Sequence, residues 1–522
     1  MEKLFTLIVL LLSLGVFAQP KNIMISDVQH PEEPSIFINP KNPAMIMAGA
    51  NINKTYLSLD TGRTWTLTQM SSNSGVWGDP CISADTAGNF LYLHLSNPPA
   101  GQGNWIDRIV FQKYDTQSQS WTTDSYMGLS STPQKAQDKE WIAVDASNNN
   151  MYVTWTEFDK YGSANALDSS RILFSKSTDG GGTWSSPLRL SKQAGDCVDS
   201  DSTVEGAVPA VGPNGEIYVA WAGPDGLVFD RSTDYGATWL ANDIAIDPMP
   251  GGWDYNVAGI SRCNGLPITK CDVSGGPHHG TIYVNWTDQR NGATDVDVFL
   301  SKSTDGGNTW SNAVRVNNDN TQQPQFLTWM DIDQSTGYLY FIFYDRRNHT
   351  TNLTDVYLAV SKDGGATFEN YQISESSFMP SQSVFFGDYN NISVQNGIVR
   401  PIWTRLHYGE LSVWTALINP DTHLGIANNN LTEEKETALV YPNPVNDNVF
   451  FSFKLHHKQN VNLKVIDANG KLIANIVQNE TRDAGLFINS FSPKHYQLSA
   501  GSYYFVFSTD NKQITKPFIV NK

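Results

Sequence analysis

Several features that would link a chain to membranes, nucleic acid or nucleotides are missing from this sequence. Beyond the first 18 residues, no stretch is long and apolar enough to span a bilayer. Basic residues are in deficit, with 35 Lys and Arg against 52 Asp and Glu, so the net charge of −17 predicts neither a nucleic-acid partner nor binding to an anionic membrane. There is no P-loop, no dinucleotide-binding glycine pattern and no Gly-x-Ser-x-Gly elbow. These absences exclude the commonest nucleotide-dependent and serine-hydrolase sites.

Cysteine is also scarce, with four residues in a chain of 522. Cys263 and Cys271 flank the segment NGLPITK and are predicted to close a local loop through a disulfide. Cys81 and Cys197 would then pair by elimination, although four cysteines allow three connectivities. No His or Cys pair has the spacing of zinc ligands, so no zinc site is predicted and no cofactor is expected.

The first 18 residues have the features of a secretory signal. Lys3 supplies the basic start, residues 4–17 form the apolar core, and Val-Phe-Ala at 16–18 is the small-residue cleavage site. No Cys follows that site, so a lipid anchor is not indicated. The sequence therefore predicts an exported protein, and export makes disulfides permissible.

A short phrase of the form Ser-x-Asp-x-Gly-x-Thr-aromatic recurs five times. Asp and Gly favour a tight turn, and the Trp or Phe anchors that turn by packing under the sheet. Strand-like segments flank each copy, so each is predicted to be a hairpin turn with a structural aspartate. The copies are SLDTGRTW at 58–65, STDGGGTW at 177–184, STDYGATW at 232–239, STDGGNTW at 303–310 and SKDGGATF at 361–368, with Asp60, Asp179, Asp234, Asp305 and Asp363.

These turns resemble the Asp boxes, or bacterial neuraminidase repeats, of the sialidase superfamily. The resemblance implies a β-propeller in which each box lies on the outer strand turn of a blade, away from the active-site face. It is more specific for the fold than for the reaction, because Asp boxes also occur in other glycan-acting propellers and in non-catalytic ones.

Around the repeats, the chain divides into seven units of short strands and turns. YDTQSQSW at 114–121 is the decayed turn of the second unit, and a lone strand at 21–28 would complete the seventh and close the ring. The prediction is an all-β, seven-bladed β-propeller over residues 19–420, with six blades as the alternative because sialidase catalytic domains have six. The opening strands are expected near Glu33, Asp79, Lys139, Glu205, Val257, Leu327 and Phe386.

After the propeller, the composition changes twice. Residues 421–440 are polar and charged and are predicted to be a linker, whereas residues 441–522 alternate like the strands of a small β-sandwich. The tail resembles the C-terminal sorting domain of the type IX secretion system, which implies the secretion machinery as a partner and a secreted or cell-surface location; a carbohydrate-binding sandwich is the alternative. The matching features are Tyr441-Pro442-Asn443-Pro444, the Asp467–Gly470 turn, Gly501-Ser502-Tyr503, Lys516 and Lys522.

Residues at the start of each opening strand, and in the loop between second and third strands, would line one face of the central funnel. Acidic and aromatic side chains there suit a sugar, because aromatic faces stack on pyranose rings and carboxylates bond hydroxyls or act as acid and base. The candidate substrate-binding residues are Glu33, Asp79, Glu140, Trp141, Arg290, Trp329, Arg347 and Arg405.

Two of these arginines stand in matching segments, WTDQRN at 286–291 and YDRRN at 344–348. One interpretation is that Arg290 and Arg347 form loop-closing pairs with Asp288 and Asp345, repeated because the blades repeat. The other is that both, with Arg405, bind a carboxylate through bidentate bonds, as the arginine triad of sialidases does. The Phe/Tyr-Arg-Ile-Pro motif of that family is absent, since residues 33–36 read Glu-Pro-Ser-Ile.

The catalytic candidates are Glu205, Asp388 and Tyr389, because the resemblance implies a Tyr activated by a Glu together with an acid/base Asp. Asp196, Asp199, Asp201 and Glu205 form an acidic cluster that could hold a structural Ca²⁺ or lie in a solvated loop. The sequence thus predicts an exported glycoside hydrolase with two funnel carboxylates; the alternative is a non-catalytic propeller that binds a glycan or a protein. A carboxylate pair about 5–10 Å apart in an open pocket would favour hydrolysis, whereas acids held in ion pairs would favour binding.

Overall fold

The structure is a computed structural model that describes residues 20–122, 124–407, 409–418, 438–441, 443–445, 449–455, 458–468, 470–482, 485–509 and 513–521. None of these residues is helical, so none of the described segments is a helix able to cross a membrane. The predicted signal segment, 1–18, and most of the predicted linker, 421–437, lie outside the described residues. The chain forms two compact units, Met1–Ile426 and Ala427–Lys522.

The first unit is built from antiparallel sheets whose strands follow one another along the chain. The first sheet contains β2 (Ser35–Ile38), β3 (Ile46–Ala50), β4 (Lys54–Ser58) and β5 (Thr66–Gln69). The second contains β6 (Gly78–Ala84), β7 (Phe90–Leu95), β8 (Ile109–Asp115), β9 (Ser120–Trp121) and β10 (Ser125–Met127). The third contains β11 (Ala136–Val144), β12 (Met151–Phe158), β13 (Ser170–Ser177) and β14 (Leu188–Arg189).

The next sheets repeat this order. The fourth contains β15 (Glu205–Val211), β16 (Ile217–Gly223), β17 (Gly226–Ser232) and β18 (Ile244–Asp247), and a two-stranded ribbon of β19 (Asp254–Tyr255) and β20 (Cys263–Asn264) follows it. The fifth contains β21 (Ile268–Cys271), β22 (Ile282–Asp288), β23 (Asp297–Ser303) and β24 (Val314–Arg315). The sixth contains β25 (Gln325–Asp333), β26 (Tyr338–Asp345), β27 (Asp355–Ser361) and β28 (Glu369–Gln372).

The last sheet closes the ring with a strand from the other end of the unit. It contains β29 (Asn391–Gln395), β30 (Ile398–His407), β31 (Glu410–Leu417) and β1 (Lys21–Ser26), and β1 pairs with β31 so that Ile23 lies opposite Thr415. The innermost strands β2, β6, β11, β15, β21, β25 and β29 contact one another in turn, and β29 contacts β2. The predicted all-β propeller is confirmed, and within residues 20–418 its ring consists of these seven sheets.

One predicted strand lies elsewhere. The fifth opening strand was expected near Val257, but residues 257–260 form a turn inside the β19–β20 ribbon, and the innermost strand of that sheet is β21. Val257 is buried in this turn, at 4% exposure, which explains why an apolar residue stands there. Burial of a short apolar run does not distinguish a strand from an inserted turn.

The core between neighbouring sheets comes from the apolar second strands. A tryptophan recurs at the same place in four of them, and each is fully buried because the sheets pack face to face around the axis. These residues are Trp155, Trp221, Trp286 and Trp403.

Each of the five repeated phrases forms a turn between the third and fourth strands of its sheet. In the second copy, the Asp179 carboxylate accepts bonds from the hydroxyls of Ser177 (2.7 Å) and Thr183 (2.6 Å), and the Gly181 amide donates to the Ser177 hydroxyl at 2.9 Å. The bond from Thr183 is the main reason that the pKa of Asp179 falls to about 2. The ring centroid of Trp184 lies 5.3 Å from that of Phe111 in the preceding sheet, so this turn also joins two blades.

The second unit is a sandwich of two antiparallel sheets. One contains β32 (Ala438–Tyr441), β33 (Val449–Leu455) and β36 (Gly485–Phe491); the other contains β35 (Leu472–Arg482), β34 (Gln459–Asp467), β37 (Gly501–Thr509) and β38 (Gln513–Val520). Their facing side chains form one apolar core, in which the ring centroids of Phe453 and Phe507 lie 4.1 Å apart. Pro442, Asn469 and Lys522 of the predicted features lie outside the described residues.

The predicted disulfide between Cys263 and Cys271 is absent from the structure, and so is the one between Cys81 and Cys197. All four cysteines are buried free thiols in the structure. Cys263 lies in the ribbon at the wide end of the ring, whereas Cys271 ends the innermost strand β21, so an extended strand separates the two sulfur atoms. Burial raises the pKa of the Cys271 thiol to about 12, and that of Cys263 is raised further for the same reason.

Candidate functional site

Four of the seven innermost strands share a bulge at the same position, and this bulge builds the centre of the site. The pairing register shifts between Gly78 and Cys81, and in the same way in β11, β15 and β25. The residue after the start of the bulge takes a left-handed conformation, with φ of 53° at both Asp79 and Lys139 and 49° at Leu327. Such backbone is costly for residues other than glycine and is tolerated where surrounding contacts fix it. Here it turns polar side chains toward the axis.

Lys139 occupies the centre of the funnel. Its ammonium lies 2.6 Å from Asp388, 3.4 Å from Asp79 and 3.8 Å from Glu33, which come from three other blade entrances. The backbone amide of Asp388 also donates to Glu33 at 3.0 Å. Burial opposes the charge of Lys139, but these carboxylates, Asp388 foremost, hold its pKa well above the usual value. The ammonium therefore ties the entrances of four blades together.

Arg262 joins this centre to the mouth of the funnel. Arg262 forms a bidentate ion pair with Asp388, in which Nε donates to Oδ1 at 2.8 Å and Nη2 donates to Oδ2. Its other amino group donates to Asp199 at 3.1 Å, and the Tyr161 hydroxyl donates to the same Asp199 oxygen at 2.6 Å. Burial would raise the pKa of Asp388, yet Lys139 and Arg262 outweigh it and lower that pKa to about 2. Asp388 is thus a carboxylate held by two cations.

The other funnel acids are pushed toward their neutral forms. Burial is the first cause that raises the pKa values of Glu33, Glu140 and Glu205 well above normal, and it raises that of Asp138 to about 7 despite the nearby Lys139. Neither carboxyl oxygen of Glu140 has a hydrogen-bond partner among the described residues. A neutral carboxyl group is the form that such a buried position accepts.

Three aromatic rings close the funnel below this network. The ring centroid of Trp141 lies 4.3 Å from that of Trp329 and 5.3 Å from that of Tyr389. Trp141 and Trp329 each follow the bulge of their strand, whereas Tyr389 precedes β29. The cavity beside them measures about 30 Å³, which is room for roughly two water molecules and not for a sugar ring. Burial raises the pKa of Tyr389 well above normal, so this hydroxyl is not activated as a nucleophile. The structure therefore places the predicted catalytic Tyr389 in a packing position.

The three predicted arginines do not converge on the funnel. Arg290 bonds Asp288 at 2.5 Å, and Arg347 bonds Asp345 at 2.7 Å, so each closes the loop of its own blade. The Arg405 guanidinium lies 5.5 Å from the ring centroid of Phe378 and 4.9 Å from that of Trp414. These contacts match the loop-closing interpretation of the repeated Asp and Arg.

A line of partly exposed aromatic residues at the mouth was not predicted. Trp77 and Trp105, 40% and 42% exposed, meet edge to face at 5.6 Å, and Trp105 lies 5.9 Å from Tyr161. Beyond Tyr161 and Asp199, the Arg262 guanidinium stands 5.2 Å from the ring centroid of Phe385, which is 40% exposed. The signal in the sequence is a tryptophan in each of two polar loops, but only the fold brings these loops together.

The acidic cluster predicted as a possible Ca²⁺ site is divided among several contacts. The Thr203 hydroxyl donates to Asp196 at 2.7 Å, the Asp254 amide donates to Asp201 at 2.8 Å, and Asp199 belongs to the network of Arg262. Among the described residues, no group of three or more His, Cys, Asp or Glu side chains is placed to hold a metal ion. Ca²⁺ binding stays a prediction.

Comparison with known protein families concerns the second unit. Residues 439–521 match the family of secretion-system C-terminal sorting domains, so the predicted sorting domain is confirmed in place of a carbohydrate-binding sandwich. This tail directs the protein through type IX secretion to the cell surface or the medium. No curated protein is similar enough in sequence to count as a match.

Solved structures similar to this chain include proteins described as glycan-active enzymes. The NanB sialidase of Streptococcus pneumoniae is 10% identical, with 65% of this chain and 68% of that chain covered and a TM-score of 0.42. A polysaccharide lyase, ulvan lyase of family PL25, is 11% identical over 76% and 96%, with a TM-score of 0.47. The α-L-arabinanase of Penicillium chrysogenum is 13% identical over 69% and 99%, with a TM-score of 0.38. Likeness at this level concerns the fold alone.

Proposed function

We propose that this protein is an exported propeller that recognises an extracellular glycan at the mouth of its funnel, and that it acts by binding. The observation that carries the proposal is the line of side chains from Trp77 through Trp105, Tyr161 and Arg262 to Phe385. Consecutive members lie within hydrogen-bonding or ring-contact distance, either directly or through Asp199, and the line crosses loops of several blades.

The chemistry of this line suits a saccharide chain. Partly exposed aromatic rings offer apolar faces to the C–H faces of sugars, while fixed carboxylate and guanidinium groups bond the hydroxyls. Because Asp199 and Arg262 are already oriented by their partners, little side-chain entropy is lost when a ligand binds them. Exposed apolar rings that are grouped and rimmed by polar residues mark an interaction site.

Binding is favoured over cleavage because the predicted catalytic groups are engaged or enclosed. Asp388 is neutralised by Lys139 and Arg262, and Tyr389 is buried beside a cavity that admits only water. Burial, with Asp138 and Asp199 nearby, raises the pKa of Tyr161 above normal. Tyr161 is therefore not activated as a nucleophile either. Asp388, Asp79 and Glu33 thus hold blade entrances together through Lys139.

Hydrolysis is the second candidate, and one observation favours it. The pKa of Glu205 is raised chiefly by burial and then by the nearby charge of Asp199 at the mouth. Glycosidases use such a pair of carboxyl groups, in which the protonated one acts as general acid and the other as base or nucleophile. Its test is the formation of new saccharides by the protein.

The proposal is tested by retention of the protein on a panel of polysaccharides. We expect binding to at least one of them, and at least a tenfold loss of affinity in Trp105→Ala. The matched control is Tyr235→Ala, which removes an aromatic residue of similar exposure, 46%, from a turn on the opposite face. Equal losses in both variants, or retention on no polysaccharide, would contradict the proposal.

A further inference from the structure

A second cavity opens on the same face, between the fifth and sixth sheets. It measures about 220 Å³ and is lined by residues 256–258 of the ribbon, residues 322–324 before β25, and residues 350–352 of the loop between β26 and β27. Thr350 and Thr351 at its rim are exposed. The cavity is therefore accessible to solvent and is several times larger than the one beside Tyr389.

Arg346 forms part of the wall of this cavity and is only 2% exposed. Its Nε donates to the Thr354 hydroxyl at 3.0 Å and Nη1 donates to the carbonyl of Ala258 at 2.7 Å, but Nη2 has no partner. Among the described residues, no acidic side chain forms an ion pair with Arg346. Burial lowers the pKa of Arg346 to about 10.

Other arginines of the propeller differ from Arg346 in their partners or in their position. Arg347, Arg290 and Arg262 each form an ion pair with an aspartate. Arg400 is buried without an acid, but its guanidinium donates to three backbone carbonyls, which satisfy it. Arg405 is also buried with an unpartnered Nε, but it does not line this cavity. Arg346 differs because it both lines the cavity and keeps an unpartnered amino group.

A buried cation with an unsatisfied donor is costly, because the charge has left water without gaining a counter-charge. An oxyanion in the cavity would supply both the missing charge and the missing acceptor. The planar guanidinium suits carboxylate and sulfate, whose oxygens accept parallel bonds from it. The hydroxyls of Thr350 and Thr351 at the rim add donors for the same group.

We propose that the cavity at Arg346 binds an oxyanion, a carboxylate or sulfate group carried by an acidic glycan. The inference deepens the proposed function and rests on it for the polymer that carries the anion. It assigns the acidic substituent to a pocket between two blades, apart from Lys139 and Asp388, whose charges are already paired. It also gives an acidic protein a local site for an anionic sugar, although its net charge is −17.

The anion site is tested with inorganic sulfate and the full chain, by equilibrium dialysis at constant ionic strength. We expect one saturable sulfate per chain and a loss of at least tenfold in affinity in Arg346→Met. Thr351→Trp, which fills the cavity from its exposed rim and leaves the buried arginine in place, should lose sulfate as well. Arg347→Met is the matched control: it breaks the pair with Asp345 but should keep sulfate binding.

The outcomes separate this inference from the proposed function. Sulfate binding that is absent, or equal in Arg346→Met and the unchanged chain, would overturn the anion site. A uronate oligosaccharide, a sulfated oligosaccharide and a neutral one then distinguish the carboxylate from the sulfate source. Arg346-dependent sulfate binding without retention of any glycan would support the site and contradict the proposed function. Acidic glycan retained equally by Arg346→Met would contradict this inference alone.

Discussion

At the scale of single residues, Lys139 is the group on which the funnel depends. It and Asp388 stand 249 positions apart in the chain, and their contact exists only because the ring closes. The sequence marked Asp388 and Glu33 as funnel residues from their place at the start of strands, and the structure places both in the funnel. It did not mark Lys139, because a lysine at a strand end is usually solvated and nothing local shows that it is enclosed by carboxylates.

Replacement of Lys139 by methionine should destabilise the propeller strongly. The substitution leaves Asp388 with Arg262 alone and leaves Glu33 and Asp79 without their cation, and removal of one partner of a buried pair costs about 3–5 kcal/mol. Urea unfolding followed by tryptophan fluorescence would measure the change. Lys362→Met, which breaks an exposed pair with Glu369, is the control and should cost about 0–1 kcal/mol. Equal effects of the two substitutions would show that the central ammonium has no special role.

The raised acid pKa values predict that the folded protein loses stability as the pH rises from about 4 to about 8. Burial raises the pKa of Glu32 to about 8 and that of Asp138 to about 7, so the folded state binds protons that the unfolded chain releases. This stability is complete below the unfolded pKa values, near 4, and is lost as pH rises through 7 and 8. Tm should therefore fall between pH 5 and pH 8.5.

The variant Asp138→Asn separates this effect from other causes of pH dependence. It removes one of the titrating groups, so the fall in Tm from pH 5 to pH 8.5 should become smaller. Asp179→Asn is the control, because the pKa of Asp179 is about 2 and this group does not titrate in the range. A Tm that rises with pH in the unchanged protein would show that the funnel acids are ionised in the folded state.

At the scale of elements, the repeated phrase made most of the propeller predictable. It encodes a complete local unit, in which Asp179 and its equivalents bond residues only two to four positions away. The strands between the phrases follow from alternation of apolar and polar residues. The ribbon near Val257 escaped prediction because it is inserted once and repeats nowhere. The mouth residues Trp105 and Arg262 escaped it because loops are positioned by the ring and not by their own sequence.

The strand β1 is the element whose attachment can be tested directly. Asn22 donates to the carbonyl of Ile373 at 2.8 Å and accepts from the amide of Glu375 at 2.8 Å, so it joins the closing strand to the sixth sheet. Asn22→Ala should lower the free energy of unfolding by about 1–3 kcal/mol, because it leaves these backbone groups unpaired. Lys21→Ala, at an exposed neighbouring position, should change it by about 0.5 kcal/mol or less. If Asn22→Ala leaves the free energy of unfolding unchanged, closure of the ring does not depend on this contact.

At the scale of the whole molecule, the chain consists of a propeller, for which we propose glycan recognition, and a sorting tail. The tail is recognised from its own sequence, since residues 439–521 match a known family. The proposed binding site lies in the propeller, where Lys139 and Arg262 form ion pairs with Asp388 at the funnel. What remains at the mouth is a set of oriented polar groups between aromatic rings, which is a surface suited to binding.

The most direct test of binding without cleavage is mass spectrometry of a retained glycan after prolonged incubation with the protein. We expect the glycan to be recovered unchanged in mass. The appearance of shorter saccharides that are lost in Glu205→Gln would contradict this expectation and would establish the pair at Glu205 and Asp199 as a hydrolytic site.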